Sequence, residues 1–277
     1  MAVTDANNHV IAINAAFTLI TVYAEDIVGK AIVFSARNSI DRNDYRRMVD
    51  SVLTTGKWRG ELWNYRKNRE RFACRVAVNS TCDAEGKVTR RVILLSDITE
   101  QKHADAMIWK QANYDPLIGL PNRRLFRDRL EQEIKKAHRT GLRAGLLFLD
   151  LDRFKEVNDS FGHAAGDALL IEAARRIASC VREADTVARL GGDEFTVILS
   201  EIEDNGIIER VARDIIEEMA KPFHLGGKLA NISASIGISV YPGDSTEIDE
   251  LLKNADLAMY EAKNAGRNRY RYFTRVS

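Results

Sequence analysis

Apolar and small polar residues alternate most regularly at Ile232, Ala234, Ile236, Ile238 and Val240, interleaved with Ser233, Ser235, Gly237 and Ser239. A period of two predicts a half-buried strand in an antiparallel sheet. Ala144 to Leu151 is a compact apolar run ending in acids, a second strand. Leu169, Ala173, Ile177 and Val181 recur at four-residue spacing and predict a helix over 164–181 with one buried stripe. Ile207 to Met219 predicts another helix, closed by Pro222. Leu251, Leu252, Ala255, Ala258, Met259 and Ala262 give a final amphipathic helix. Val187, Ala188 and Leu190 run into Gly191-Gly192, and Phe195, Val197, Ile198 and Leu199 follow. That is strand, tight turn, strand, with Asp193 and Glu194 at the tip. The order helix, strand, helix, hairpin, helix, strand, helix predicts an antiparallel-containing sheet with helices on one face, leaving the other face free for a site.

The first hundred residues read as β-rich. Val10, Ile11 and Ile13 form a short apolar run after the turn-prone Asp5-Ala6-Asn7-Asn8. Trp58, Leu62 and Trp63 precede a polar turn at 66–70, and Phe72, Cys74, Val76 and Val78 share one face of the next strand. A turn at 83–86 leads to Val92-Ile93-Leu94-Leu95. The charged segment from Asp97 to Tyr114, with Ala104, Met107 and Ile108, predicts a connecting helix, too short for a sustained heptad pattern. The expected division is 1–101, a connecting helix at 102–114, and 115–277.

Composition narrows the function. The 277 residues carry 41 Lys and Arg against 40 Asp and Glu, a balance that argues against a nucleic-acid binder. Cys74, Cys82 and Cys180 have no metal-type spacing and read as reduced thiols of a cytosolic protein. The uncharged stretch Val10 to Ala24 is too short to span a membrane and contains Asn14, Thr18 and Thr21. No signal peptide is visible. The expectation is a cytoplasmic fragment without membrane contact, whose parent protein could be membrane-anchored.

The chemistry concentrates at two strand ends. A rigid hairpin tip bearing two carboxylates can seat a divalent cation and a phosphate, or can be a plain turn with solvated charges. Asp150 and Asp152 share a strand face by period two. Asp150 joins Asp193 and Glu194 in a three-carboxylate cluster if the strands are neighbours; as a lone residue it could be a helix N-cap. Asp152, directly before Arg153-Phe154-Lys155, reads as the cap.

Residues 150–167, DLDRFKEVNDSFGHAAGD, together with GGDEF at 191–195, resemble the GGDEF family of diguanylate cyclases. The lead-in DPLIGLPNR at 115–123 is close to the family's pattern with Ile118 for the usual Thr, and YEAKNAGRN at 260–268 matches its C-terminal motif. The resemblance covers Tyr114 to Tyr272. It implies a palm-like, nucleotidyl-cyclase α+β domain that condenses two GTP into cyclic di-GMP across a homodimer, releasing two pyrophosphates. It implies that Asp150, the carbonyl of Leu151, Asp193 and Glu194 hold two Mg²⁺ or Mn²⁺ ions, and that Glu194 helps deprotonate the ribose 3′-hydroxyl. Asn158 and Asp167 would bond the guanine edge, and Gly192 would let the base approach the backbone. Lys263 and Arg267, four apart on one helix end, would reach the terminal phosphates, with Lys155 and the amides around Phe154 also cradling phosphate. Arg182 and Asp185 form RxxD, separated from Gly191 by five residues, the family's product-inhibition position.

Residues 3–101 resemble a PAS sensor domain, an antiparallel sheet with helices. The carrying segments are VTDANNHV at 3–10, GKWRGELW at 56–63, Arg66-Lys67-Asn68 and the exit SDITEQK at 96–102. Asn8 and Arg69 stand where the family often has glycine, which predicts a reshaped hairpin at Arg69. The domain's beginning reads as clipped. No histidine lies between His9 and His103, against histidine-ligated haem; Cys74 and Cys82 lack the surroundings of a photoactive flavin domain; the sequence names no PAS ligand. A catalytically silent GTP- or cyclic-di-GMP-binding module, or a PAS-driven scaffold, are the competing readings; retention of Asp150, Asp193, Glu194, Lys263 and Arg267 favours catalysis.

Overall fold

The computed structural model describes residues 1–32 and 42–274; the last residues of the expected C-terminal domain, 275–277, lie outside them. The chain divides into two compact units, Met1–Ile108 and Trp109–Ser277.

In the first unit, β1 (Ala2–Asp5), β2 (Val10–Ile13), α1 (Ala15–Thr21), a 3₁₀ turn and α2 (Arg42–Thr55) precede three long strands, β3 (Lys57–Tyr65), β4 (Arg71–Cys82) and β5 (Val88–Asp97). The sheet runs β2-β1-β5-β4-β3 with every pairing antiparallel. Phe72, Cys74, Val76 and Val78 of β4 are buried, as the alternation predicts, and pack with Ile93, Leu95, Phe17 of α1 and Met48 of α2. Burial pushes the Cys74 thiol up to about 12, so it is an inert core residue. α3 (Thr99–Asn113) follows.

The hairpin between β3 and β4 is not reshaped. Arg69 itself adopts the left-handed conformation at φ 67°, and the turn closes with Arg66 N–H to Glu70 O at 2.9 Å and Arg69 N–H to Arg66 O at 2.9 Å. A side chain there costs about 1 kcal/mol that glycine escapes. Arg69→Gly is therefore expected to raise the unfolding free energy by up to about 1 kcal/mol in urea titration; an unchanged or lower midpoint contradicts this.

The second unit contains α4 (Arg123–Thr140), β6 (Arg143–Asp152), α5 (Phe154–Phe161), α6 (His163–Ser179), β7 (Thr186–Gly191), β8 (Glu194–Ile202), α7 (Asn205–Ala220), the short hairpin β9 (Phe223–Leu225) and β10 (Lys228–Ala230), β11 (Ser233–Tyr241), α8 (Ile248–Asn264) and β12 (Arg269–Tyr272). The main sheet runs β12-β11-β6-β8-β7, antiparallel except for β11 with β12. Asn122 starts α4 by accepting from Arg124 N and Leu125 N, and Asp204 starts α7 by accepting from Gly206 N.

Helices cover both faces of this sheet, contrary to the one-face expectation. Leu147, Leu149 and Leu151 of β6 pack with α6 and α7, while Leu146, Phe148 and Ala144 pack with Phe126 and Leu130 of α4 and Leu251, Ala255 and Met259 of α8. β11 is consequently buried on both sides rather than half-buried. Its small polar residues are not solvent-facing. Ser235 donates to Asp152 Oδ1 at 2.8 Å, Ser239 donates to Leu251 O at 2.9 Å, and Gly237 lies directly beneath the backbone of α8. Hydroxyls satisfied inside the fold, and a residue without a side chain, mimic the polar phase of an exposed strand. No helix among the described residues is long and apolar enough to cross a membrane.

Candidate active site at the Gly-Gly hairpin

The site lies where β6 ends. Gly191 faces Glu194 across the β7–β8 turn, and Glu194 in turn faces Asp150 of β6. Gly191 and Gly192 take φ of 147° and 55°, which lets two residues reverse the chain. The Asp193 carbonyl accepts from Leu151 N at 3.3 Å, tying the tip to the strand end.

Arg189 of β7 locks this tip. Its Nε and Nη2 both donate to Gly192 O, at 2.9 and 2.7 Å, and its Nη1 donates to Asp115 Oδ2 at 2.9 Å. The other Asp115 oxygen caps the lead-in turn, accepting from Leu117 N and Ile118 N at 2.9 and 3.0 Å. One half-buried guanidinium thus joins two of the sequence motifs. Sequence reasoning missed Arg189; its strand position two residues before Gly191 was the available signal.

Asp150 is buried, and Lys263 Nζ of the last turn of α8 pairs with it at 2.7 Å. Burial pushes the Asp150 carboxyl up; the Lys263 bond opposes this, and the charges of Asp193 and Asp152 add to the rise. Glu194 leans instead toward Arg123, whose Nη2 is 3.9 Å from Oε2. So the strands are neighbours, but among the described residues no three Asp, Glu, His or Cys side chains converge as a metal-binding group. Like charges separate toward their nearest cations.

Asp152 is not a helix cap. Arg153, at φ 63°, begins α5 without a side-chain cap bond. The Asp152 carboxylate accepts from Ser233 Oγ at 2.5 Å, Ser235 Oγ at 2.8 Å and Asn268 N at 3.2 Å. It fastens β6 to β11 and to the turn after α8. Arg267 lies in that turn at φ 61°, beyond the helix rather than on its end, with Nε 3.9 Å from Asp152 Oδ1. Lys263 and Arg267 still address the same acidic strand end.

Asn158 sits within α5 and its amide stands over Gly166, where a Cβ would come 2.0 Å from Oδ1. Asp167 is exposed on α6, so neither is a cap. Phe154 packs against the core and Lys155 is exposed. Arg182 and Asp185 lie in the loop after α6 and bind each other's main chain: Arg182 N donates to Asp185 Oδ2 and Asp185 N to Arg182 O, both at 3.0 Å. Asp185 Oδ1 also accepts from Ser200 N at 3.0 Å, leaving the Arg182 side chain exposed.

Residues 112–269 match the family model described as diguanylate cyclase, GGDEF domain, and residues 1–100 match a PAS domain model. A curated relative, the bifunctional diguanylate cyclase/cyclic di-GMP phosphodiesterase MucR of Pseudomonas aeruginosa, is 47% identical over 175 residues, 63% of this chain and 25% of its own. The chain spans about a quarter of the length of the curated relatives it matches. Among solved structures, the GGDEF domain of TpbB (YfiN) from Pseudomonas aeruginosa is similar with a TM-score of 0.57 and 42% identity, covering 58% of this chain and 94% of that one. The coiled coil and GGDEF domain of DgcB from Caulobacter crescentus, in complex with c-di-GMP, is similar with a TM-score of 0.58 and 27% identity, covering 63% and 93%. The two-glycine hairpin against the acidic strand end and the match over more than half the chain make this protein a member of the GGDEF diguanylate cyclase family, with a PAS domain ahead of the GGDEF domain.

Proposed function

We propose that residues 115–277 act as a diguanylate cyclase, with residues 1–101 as a PAS sensor and 102–114 as the connecting segment, working in the cytoplasm as a homodimer. The observation that carries this reading is the register that sets Asp150 opposite Glu194 beside the Gly-Gly tip, with Lys263 on Asp150. Two GTP molecules face each other across a two-fold axis, because the product is two-fold symmetric. Each ribose 3′-oxygen bonds to the other's α-phosphorus, the bond to the β-phosphate oxygen breaks, and pyrophosphate leaves. Glu194 accepts the 3′-hydroxyl proton. Asn158 and Asp167 read the guanine edge, the carboxylate accepting from N1 and N2, and Gly192 leaves room for the base. Lys263, Arg267, Lys155 and the amides around Phe154 hold phosphate oxygens.

The donor set suits Mg²⁺ or Mn²⁺: Asp150, Asp193, Glu194 and the Leu151 carbonyl are hard oxygens, and a desolvated carboxylate beside other acids is relieved by a cation. When bound, two such ions neutralise charge developing on the α-phosphate. Lys263 then exchanges Asp150 for the nucleotide's terminal phosphates.

The competing reading is a silent module that binds GTP or cyclic di-GMP without converting it. Incubating the purified chain with GTP and Mg²⁺ and separating the nucleotides by chromatography decides. Cyclic di-GMP formation supports the cyclase; GTP bound but unconverted by folded dimer supports the silent module.

Arg189→Ala is expected to lower turnover roughly 10–100-fold by freeing the tip, as loss of an orienting partner commonly does. Arg189→Lys should not restore it, since an ammonium lacks the fork that spans Gly192 and Asp115. Full activity in either variant, from steady-state GTP turnover, removes the positioning role. Cyclic di-GMP is proposed as inhibitor through Arg182 and Asp185. Arg182→Ala is expected to abolish product inhibition while the initial rate stays unchanged; an unaltered inhibition curve leaves RxxD as a loop closure only.

A further inference from the structure

In the first unit an apolar cavity of about 260 Å³ lies between α2 and the sheet, walled by Met48, Val49 and Val52 on one side and Val76, Val78 and Ile93 on the other. Its volume is near the lower end of small-ligand pockets, roughly 300–1,000 Å³. Arg91 also borders it. On β5, Arg91 keeps phase with the core residues Ile93 and Leu95, and it is only 7% exposed. Its Nη1 donates to neutral oxygens alone, Ala6 O at 2.7 Å and Asn8 Oδ1 at 2.9 Å, with a longer approach to Asp5 O at 3.5 Å. Among the described residues no carboxylate pairs with this guanidinium, and its buried Nε–H has no acceptor.

The gap extends across the sheet. Thr4 of β1 and Ser80 of β4 are the register neighbours of Arg91, and both hydroxyls are likewise buried without a partner. Directly opposite residues of paired strands share a face. One row therefore holds a guanidinium N–H and two hydroxyls, all able to donate and none satisfied. Of this row Arg91 borders the cavity; a buried cation without a counter-ion is strongly unfavourable, and an anion there that accepts from its guanidinium removes the penalty.

We propose that this cavity binds a small apolar monocarboxylate, its alkyl or aryl body between α2 and the sheet and its carboxylate on Arg91. A single guanidinium balances one negative charge rather than the two of a phosphate monoester; Asn7, Asn8 and Tyr45 are the other polar residues that border the cavity, and the rest of its walls are apolar.

Calorimetry of the full chain at pH 7.5 with octanoate, phenylacetate and 1-octanol tests this. One octanoate per chain is expected, bound at least tenfold more tightly than 1-octanol. Arg91→Gln should weaken octanoate tenfold or more and leave 1-octanol unchanged, and Val52→Phe should weaken both by filling the cavity. Equal affinity for acid and alcohol in the native chain, octanoate binding unaltered by Arg91→Gln or by Val52→Phe, or no binding of either carboxylate overturns the proposal. The acid-against-alcohol comparison on the native chain stands even where Arg91→Gln does not fold.

Discussion

Replacing Asp150 with asparagine is expected to reduce cyclic di-GMP formation at least about 10³-fold, a barrier increase of roughly 4 kcal/mol, while leaving the melting temperature unchanged or higher. The two effects have one origin. Asp150 is buried at the end of β6, and burial holds its carboxyl above the usual carboxylate range. The folded chain binds that proton more tightly than the unfolded chain does. From this group, stability is therefore greatest at low pH and falls as pH rises through the raised range. At neutral pH the charge opposes folding, and the neutral isostere removes that opposition. Lys263 loses its partner, but its side chain is 27% exposed and can turn to water. Function and stability thus pull in opposite directions at this residue. A variant that is inactive because it unfolds earlier, or one that keeps its turnover, contradicts the assignment; differential scanning calorimetry beside the GTP assay separates the cases.

Gly237→Ala is expected to destabilise the second unit by about 3 kcal/mol or more and to abolish activity with it. A Cβ at Gly237 would lie 1.9 Å from Ala255 O and 2.2 Å from Met259 N, both main-chain atoms of α8. Neither can rotate away, so the helix must lift from β11. α8 carries Lys263, and its lifting also draws the turn with Arg267 away from Asp152. Gly145→Ala is the control. There the new methyl meets Ile208 Cδ1 at 3.1 Å, the end of a side chain with other rotamers, and a loss under about 1 kcal/mol is expected. Urea midpoints of the two variants measure the contrast. Equal midpoints would mean that α8 yields as readily as a side chain.

The elements were legible where pattern and burial coincide. The strand from Ala144, the stripe of Leu169, Ala173 and Ile177, and the hairpin around Gly191-Gly192 follow the expected periods because one physical cause, apolar burial, produced both. Legibility failed where small polar residues face a helix instead of water, at Ser235, Gly237 and Ser239. Short elements were also lost. The three-residue strands β9 and β10 around Gly226-Gly227 have too few positions for a period to register. In the first unit α1 has only seven residues, whereas α2 carries a stripe, Tyr45, Met48, Val49 and Val52, that the reading of the first hundred residues as β-rich passed over. The candidate site divides the same way. Asp150, Asp193 and Glu194 announce themselves by motif and phase, whereas Arg189 and Asp152 act through partners distant in sequence: Asp115 for one, Ser233, Ser235 and Asn268 for the other.

The Arg189 clamp also bears on how a purine can be discriminated. A carbonyl oxygen has two lone pairs, and Nε and Nη2 of Arg189 occupy both on Gly192. That oxygen has nothing left for the exocyclic amine of a base. Recognition of a purine's exocyclic amine must therefore use a different acceptor from this oxygen, and freeing Gly192 O by removing the Arg189 guanidinium should add an acceptor at the tip as well as loosen it.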